Sequence, residues 1–359
     1  MSAEKAPVST ESPAAAAAPA AVTAPAATPA ATLAATPAAT PLTKLTARLP
    51  EITKKADHNE MWGVELSPSH HAPTQVILLK FLRANNNDVA GAEKQLTSAL
   101  EWRKKVQPTK LVSESFDKKK FGDLGFVTIH KDEAGKETVI TWNIYGAVKD
   151  NKATFGNIEE FIRWRAALME LGVQKLRLNE IKEPLAEDGE DIYQMLQVHD
   201  YLSVSFLRMD PVVKAASKET IETFSMAYPE LLAHKYFVNV PAIMGWIFGV
   251  MKLFLAPATL RKFHPMASGA SLSTELKGIS ASLPKEYGGQ GSSVKDAETV
   301  KLVDEAPKVE GAEKNDAEPA AAVAAPHAAE SKSADTAASH ADAETKAVEA
   351  EPVAKETTA

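Results

Sequence analysis

Cysteine is absent from the 359 residues, which excludes a disulfide framework and any thiolate metal site and suits a cytosolic compartment. Phosphate loops are absent too: no G-x-G-x-x-G follows a strand pattern and no G-x-x-x-x-G-K-[ST] occurs. G-x-S-x-G is likewise missing, so neither nucleotide chemistry nor a nucleophile elbow has support. There is no internal repeat. The first residues have no compact apolar core, because prolines recur through the alanines, and secretion is not expected. A long uninterrupted hydrophobic run is also lacking. Residues 237–255 hold a single charge, Lys252, but Asn239 and Pro241 split them into a short strand and a helix of about four turns, short of the ~20 residues that span a bilayer.

Charge is sparse where the chain begins. Residues 1–43 are Ala, Pro and Thr with only Glu4, Lys5 and Glu11 charged, a composition that cannot bury a core and predicts a flexible tail. Residues 291–359 hold 15 acidic and 7 basic side chains in an Ala-rich background and predict a second, acidic tail. The tails carry −1 and −8 of the total −7, which leaves +2 on the part between them. The acidic overall balance therefore says little about the folded core, and nothing in it points to nucleic acid.

Between the tails, periodicity predicts helices over 75–83 and 89–105, the second capped by Asp88, then a hairpin over 126–130 and 137–144 around Glu133-Ala134-Gly135. A long amphipathic helix follows over 158–178. Strand patterns at 192–204, at 236–240 and near Phe263 alternate with a helix that Asp210-Pro211 opens. Strand–helix–strand alternation predicts an α/β domain with a mixed or parallel sheet. The division expected is a tail to 43, a helical lobe over 44–125, the sheet domain over 126–290 and a tail from 291.

Several short motifs then recur in one order: Phe81-Leu82-Arg83-Ala84, Glu101-Trp102-Arg103, Tyr228-Pro229-Glu230, Val240-Pro241, Leu255-Ala256-Pro257, Lys262, and Leu283-Pro284-Lys285-Glu286-Tyr287-Gly288-Gly289. In that order they resemble the CRAL-TRIO lipid-transfer family over residues 75–290. The resemblance implies a CRAL-TRIO fold whose sheet floors a cavity, and binding and intermembrane transfer of phosphatidylinositol by a carrier that is not an enzyme. It also implies transient peripheral contact with a membrane surface, and a cytoplasmic location with association at endoplasmic reticulum or microsomal membranes. It places the inositol phosphate at Arg83, Glu230, Thr259 and Lys262. Cations there would neutralise phosphate while carboxylate and hydroxyl oxygens bond inositol hydroxyls. Taken alone, Glu230 also suits a salt-bridged helix end and Lys262 a surface lysine. The apolar helix at 242–255 resembles the family's gate, and equally suits a plain core helix.

In the strand at 197–205, Gln197, His199, Tyr201, Ser203 and Ser205 share one face by alternation, with Val198, Asp200, Leu202 and Val204 on the other. An unbroken polar row predicts a lined cavity or polar ligand, though a solvent-facing side gives the same pattern. His199 and Tyr201 are both capable iron ligands. Usual phosphatidylinositol carriers of the family have apolar residues there. Residues 197–210 and 228–246 instead resemble the fungal non-classical subgroup that binds haem b. That resemblance implies Tyr201 as axial ligand, His199 as neighbour or second ligand, and Tyr145, Arg165 and Lys235 at the haem periphery. Without it, Arg165 and Lys235 read as solvated cations. A haem-dependent stress sensor or redox enzyme and a ligand-free interaction scaffold stay open as alternatives. His70, His71, His130, His234 and His264 show no ligand spacing.

Overall fold

The structure, a computed structural model, describes residues 39–204, 210–241 and 261–304. α1 (Pro41–Ala56) starts at Thr40, whose side chain accepts the Thr43 N–H, with Pro41 at a position where its missing donor is harmless. A two-stranded turn of β1 (Glu60–Met61) and β2 (Val64–Glu65) leads to α2 (Ala72–Ala84). Asp88 caps α3 (Val89–Val106) by accepting from Ala90 and Gly91. Leu45, Leu49 and Ile52 of α1, Val76 and Phe81 of α2, and Leu96 and Leu100 of α3 fuse into one buried cluster. The short α4 (Pro108–Leu111), β3 (Ser115–Asp117) and α5 (Lys118–Phe121) connect this lobe to the sheet.

The sheet is mixed, with strands in chain order: β4 (Gly125–Lys131), β5 (Glu137–Ile144), β6 (Met195–Asp200), β7 (Leu232–Val238) and β8 (Phe263–Pro265). β4 and β5 form the expected antiparallel hairpin, and β5 through β8 pair in parallel. Between β5 and β6 run α6 (Asn151–Phe155) and α7 (Ile158–Lys175), and between β6 and β7 runs α8 (Pro211–Ala227), capped by Asp210. Register separates the two faces. Ile140, Trp142, Leu196, Val198, Tyr236 and Val238 lie on one, where they pack with Leu272, Ile279, Leu283 and Tyr287 from the carboxyl-terminal turns. Here the Leu283-to-Gly289 motif acts structurally: Tyr287 lies 4.5 Å from Trp142 between ring centroids, and its hydroxyl donates to Asp200 Oδ2 at 2.9 Å. Gly288 sits at φ +81, where any Cβ would also come within 2.1 Å of the Ala270 carbonyl.

Some expected boundaries move. The strand expected over 192–204 is β6 alone. Asp200 Oδ1 accepts from the Leu202 N–H at 2.9 Å and from Asn239 Nδ2 at 2.7 Å, Ser203 has φ 68, and the chain turns out of the sheet. The strand expected over 236–240 starts earlier and ends at Val238, before Asn239 at φ 58. Residues 41–43 are helical rather than tail. Residues 291–304 are folded: β9 (Lys301–Val303) pairs in parallel with β3, and the Thr299 hydroxyl donates to the Gly125 carbonyl at 2.6 Å. Val294 and Val300 are buried there, so isolated apolar residues anchor a stretch whose composition resembles a tail. The gate-like segment at 242–255 and Ser205 lie outside the described residues, as do 1–38 and 305–359.

The Glu101-Trp102-Arg103 motif joins lobe to sheet domain. Arg103 is fully buried and binds Glu170 on α7 at 2.5 Å and Glu60 at 2.8 Å. The Tyr228 hydroxyl donates to Glu170 at 2.8 Å, and burial together with that carboxylate pushes the phenol's pKa up, keeping it a donor. Trp62 Nε1 adds a bond to the Ala227 carbonyl at 3.2 Å. Removing only the cation would strand a buried carboxylate. Arg103→Met is therefore expected to destabilise by about 3–5 kcal/mol in urea unfolding, and Arg103→Met/Glu170→Met to recover part of that loss. Equal losses in both would contradict a cost from the stranded carboxylate.

Candidate functional site

The second sheet face is polar. Asn143, His199 and Phe237 are paired across β5, β6 and β7, and Gln197, Lys235 and Phe263 across β6, β7 and β8, with Thr141 opposite Gln197. α7 lies over part of this face. Gly172 allows the approach, since a Cβ there would meet Thr141 Cγ2 at 2.7 Å, and Gln197 Nε2 reaches Met169 Sδ at 3.8 Å. Arg165, one turn before Met169, is thereby buried, with its guanidinium 5.3 Å from the Phe224 ring on α8. Lys235 is partly buried, 5.9 Å from the Phe263 ring. The solvated reading of these two cations does not hold for Arg165.

Tyr145, in the turn after β5, and Tyr201, just past β6, meet at the carboxyl ends of the strands. Ring centroids are 5.5 Å apart for Tyr145 and Tyr201, 5.4 Å for Tyr145 and His199, and 6.5 Å for His199 and Tyr201. Phe237 closes the group, 5.7 Å from His199 and 6.4 Å from Tyr201. The shared-face alternation thus puts His199 and Tyr201 together, although Tyr201 belongs to the turn. Carboxyl ends of parallel strands are where open α/β sheets bind ligands.

Polar atoms on this face lack partners. Thr141 Oγ1, Asn143 Oδ1, Arg165 Nε and His199 Nε2 are all buried without a hydrogen bond, a concentration that a packed interior avoids and a ligand site explains. Burial, reinforced by the Lys235 and Arg165 cations, pushes the His199 imidazole well below its usual pKa and keeps it neutral. Burial and the neighbouring Tyr145 raise the Tyr201 phenol, with Arg165 opposing. Burial, then Arg165, pulls Lys235 down to about 8. A neutral imidazole with a bare nitrogen, a phenol beside it and two cations without ion pairs match the donors and counter-charges that a haem iron and its propionates require. The residues present fit that group.

A separate cluster gathers Arg83, Glu230 and Lys262. Glu230, at φ 54, accepts from Lys262 Nζ at 3.0 Å. Lys80, fully buried on α2, uses its three protons on Asp191 Oδ2 at 2.6 Å, the Tyr193 carbonyl at 2.7 Å and the Glu230 carbonyl at 3.0 Å. Asp191 Oδ2 also lies 3.8 Å from Arg83, whose Nη2 donates to the carbonyls of Ala186, Glu187 and Gly189. Thr259 lies outside the described residues. Sequence reasoning missed Lys80 and Asp191. A lone lysine within Ile77-Leu78-Leu79-Lys80-Phe81-Leu82 was the available signal, and nothing local marks its partner 111 residues away. It missed Thr141 and Asn143 as well, which alternate with Ile140 and Trp142. His234 on β7 and His264 on β8, without ligand spacing in the sequence, form a hydrogen-bonded pair at 3.0 Å. No group of three or more His, Cys, Asp or Glu that could hold a metal occurs among the described residues.

A pH test follows from Lys235. Its native pKa, about 8, lies below the ordinary 10.5, so between those values the unfolded state binds more protons and stability rises with pH. In lipid-free protein, the stability difference between wild type and Lys235→Met should therefore move in favour of wild type from about pH 7.5 to about pH 9.5 by urea unfolding. A constant difference would contradict a desolvated lysine.

Two family profiles match the chain: CRAL/TRIO, N-terminal domain, over residues 41–98 and CRAL/TRIO domain over 123–289. A protein of Sclerotinia sclerotiorum named phosphatidylinositol transfer protein sfh5 is 58% identical over 270 residues, which are 74% of this chain and 65% of that protein. A protein of Botryotinia fuckeliana with the same name is 56% identical over 262 residues, 72% of this chain and 59% of that one. The chain thus matches less than two thirds of the length of these relatives. Among solved structures, the crystal structure of Sfh5 superposes with a TM-score of 0.57 at 28% identity, covering 72% of this chain and 90% of that one. With both profiles in their expected order and the mixed sheet beneath them, the chain belongs to the CRAL/TRIO domain family.

Proposed function

We propose that this protein binds phosphatidylinositol and exchanges it between membranes, with haem b as a second occupant of the cavity over the polar sheet face. The lipid reading is supported by relatives named as phosphatidylinositol transfer proteins. The observation that carries it is the Glu230–Lys262 ion pair joined to Arg83 through Lys80 and Asp191. Lys262 and Arg83 would neutralise the headgroup phosphate, and Glu230 would accept from inositol hydroxyls once Lys262 turns toward phosphate. Thr259, outside the described residues, would add a hydroxyl. Acyl chains would be shielded from water in a cavity over the polar sheet face, and exchange would need transient contact with a bilayer. The protein acts in this reading as a carrier rather than a catalyst, in the cytoplasm and peripherally at endoplasmic reticulum or microsomal membranes.

Haem occupancy is supported by the bare His199 nitrogen and the unpaired cations. When bound, haem supplies a ferric iron that takes oxygen and nitrogen ligands, and two anionic propionates. Tyr201 would hold the iron through its phenol oxygen, with His199 as neighbour or second ligand. Tyr145 packs against both, edge-on to His199 and tilted against Tyr201, while Arg165 and Lys235 would neutralise propionates and Arg165 would favour the phenolate. Phe237 and the sheet exclude water from the same place.

Glu230→Ala and Lys262→Ala are each expected to abolish phosphatidylinositol transfer between vesicles while leaving the unfolding midpoint close to wild type, since the ion pair is partly exposed. Normal transfer in both would overturn the headgroup assignment. Tyr201→Phe should remove or strongly shift the Soret band of haem-loaded protein while preserving the fold, because only the phenol oxygen is lost. An unchanged spectrum and iron content would exclude axial ligation by Tyr201.

A further inference from the structure

β9 leaves the folded part beside a group of lysines. Asp117 and Val303 are paired in the parallel ladder of β3 and β9, so the next residues, Lys118 and Asp304, leave it side by side. Lys118 and Lys119 of α5 are exposed. The Thr154 hydroxyl donates to the Lys120 carbonyl at 3.0 Å, which seats α6 against α5 and adds the exposed Lys152, with exposed Lys149 just before it. None of these four lysines makes an ion pair among the described residues. Four neighbouring carboxylates are already engaged, while Glu159 is exposed. Asp117 and Asp150 cap α5 and α6, Glu160 is held by Lys120 at 2.6 Å and Glu114 by Arg163 at 2.7 Å.

The sequence that follows has the opposite sign. Residues 304–318 carry six acidic side chains, Asp304, Glu305, Glu310, Glu313, Asp316 and Glu318, against Lys308 and Lys314. We propose that this acidic segment is the partner of the surface formed by Lys118, Lys119, Lys149 and Lys152 within the same chain. Fifteen residues reach up to about 50 Å when extended, enough to cross both short helices. The tether at Val303 makes the encounter intramolecular, with an effective concentration on the order of millimolar for a short link. Each contact is between exposed charges and is screened by salt, so the docked state is one of low to moderate ionic strength. Docking would cover the cations and weaken attraction between this face and an anionic bilayer.

The test is zero-length carbodiimide cross-linking of the full chain with peptide mapping. Asp304 is too near Lys118 to be informative, so the readout is amide formation between the four lysines and Glu310, Glu313, Asp316 or Glu318 within a monomer. These products are expected at low salt, and are expected to fall sharply at about 1 M salt, where the screening length is about 3 Å. The full chain carrying Glu310→Gln, Glu313→Gln, Asp316→Asn and Glu318→Gln should bind phosphatidylserine-containing vesicles more tightly than wild type. Cross-links only to folded-part carboxylates, or salt-independent yield, would overturn the proposal. Cross-links only between chains would assign the surface to a second copy. Without intramolecular products, loss of vesicle binding in Lys118→Ser/Lys119→Ser/Lys149→Ser/Lys152→Ser would assign it to the bilayer and also overturn the proposal.

Discussion

Taking charged and polar groups out of water without giving them protein partners is the constraint on which this domain turns. Arg165 is buried with an unsatisfied Nε, His199 with an unsatisfied Nε2, and Lys235 is desolvated beside them. Such an arrangement is unfavourable in an empty interior, and the proposed ligand, with anionic groups and a metal centre, would relieve it. The opposite sheet face obeys the ordinary rule. Its carboxylate Asp200 accepts from Leu202, Asn239 and Tyr287, its His130 bonds Thr128 and Ser282, its His234 bonds His264, and its apolar side chains pack in one layer. One sheet therefore presents a satisfied structural face and an unsatisfied polar face, and register alone separates them.

The two faces are held in place by long-range ion pairs. Arg103 and Glu170 fasten the helical lobe to α7, the helix that carries Arg165 over the polar face, and Tyr228 links the same carboxylate to the end of α8. Lys80 fastens the lobe to the Glu230 turn in the same manner, through Asp191 and two carbonyls. The lobe thus supplies the structural supports of the turn where Glu230 pairs with Lys262, as well as Arg83 itself.

Much of this was legible locally. Asp88 and Asp210 announce their helices because an N-cap needs only the next few residues, and the hairpin follows from β-branched runs flanking Gly135, which indeed takes φ 80. Alternation along 197–201 brought His199 and Tyr201 together and set Asp200 apart. What escaped was tertiary. Strand β6 ends because Asn239, 39 residues on, claims Asp200. Residues 291–304 fold because β3 offers an edge to β9, while their composition alone resembles a tail. Arg165 is buried because Gly172 lets α7 settle on Thr141, and helical periodicity cannot distinguish a cation under another helix from one in water.

On the proposed function, the polar sheet face is a ligand site rather than an uncompensated interior. Native mass spectrometry of the protein as purified, together with its absorption spectrum, tests this most directly. The account predicts a noncovalent mass increment matching phosphatidylinositol, haem b or both, with a Soret band wherever haem is present. A monodisperse, folded protein at the bare chain mass, colourless, and unable to take up either ligand when both are supplied, would contradict it.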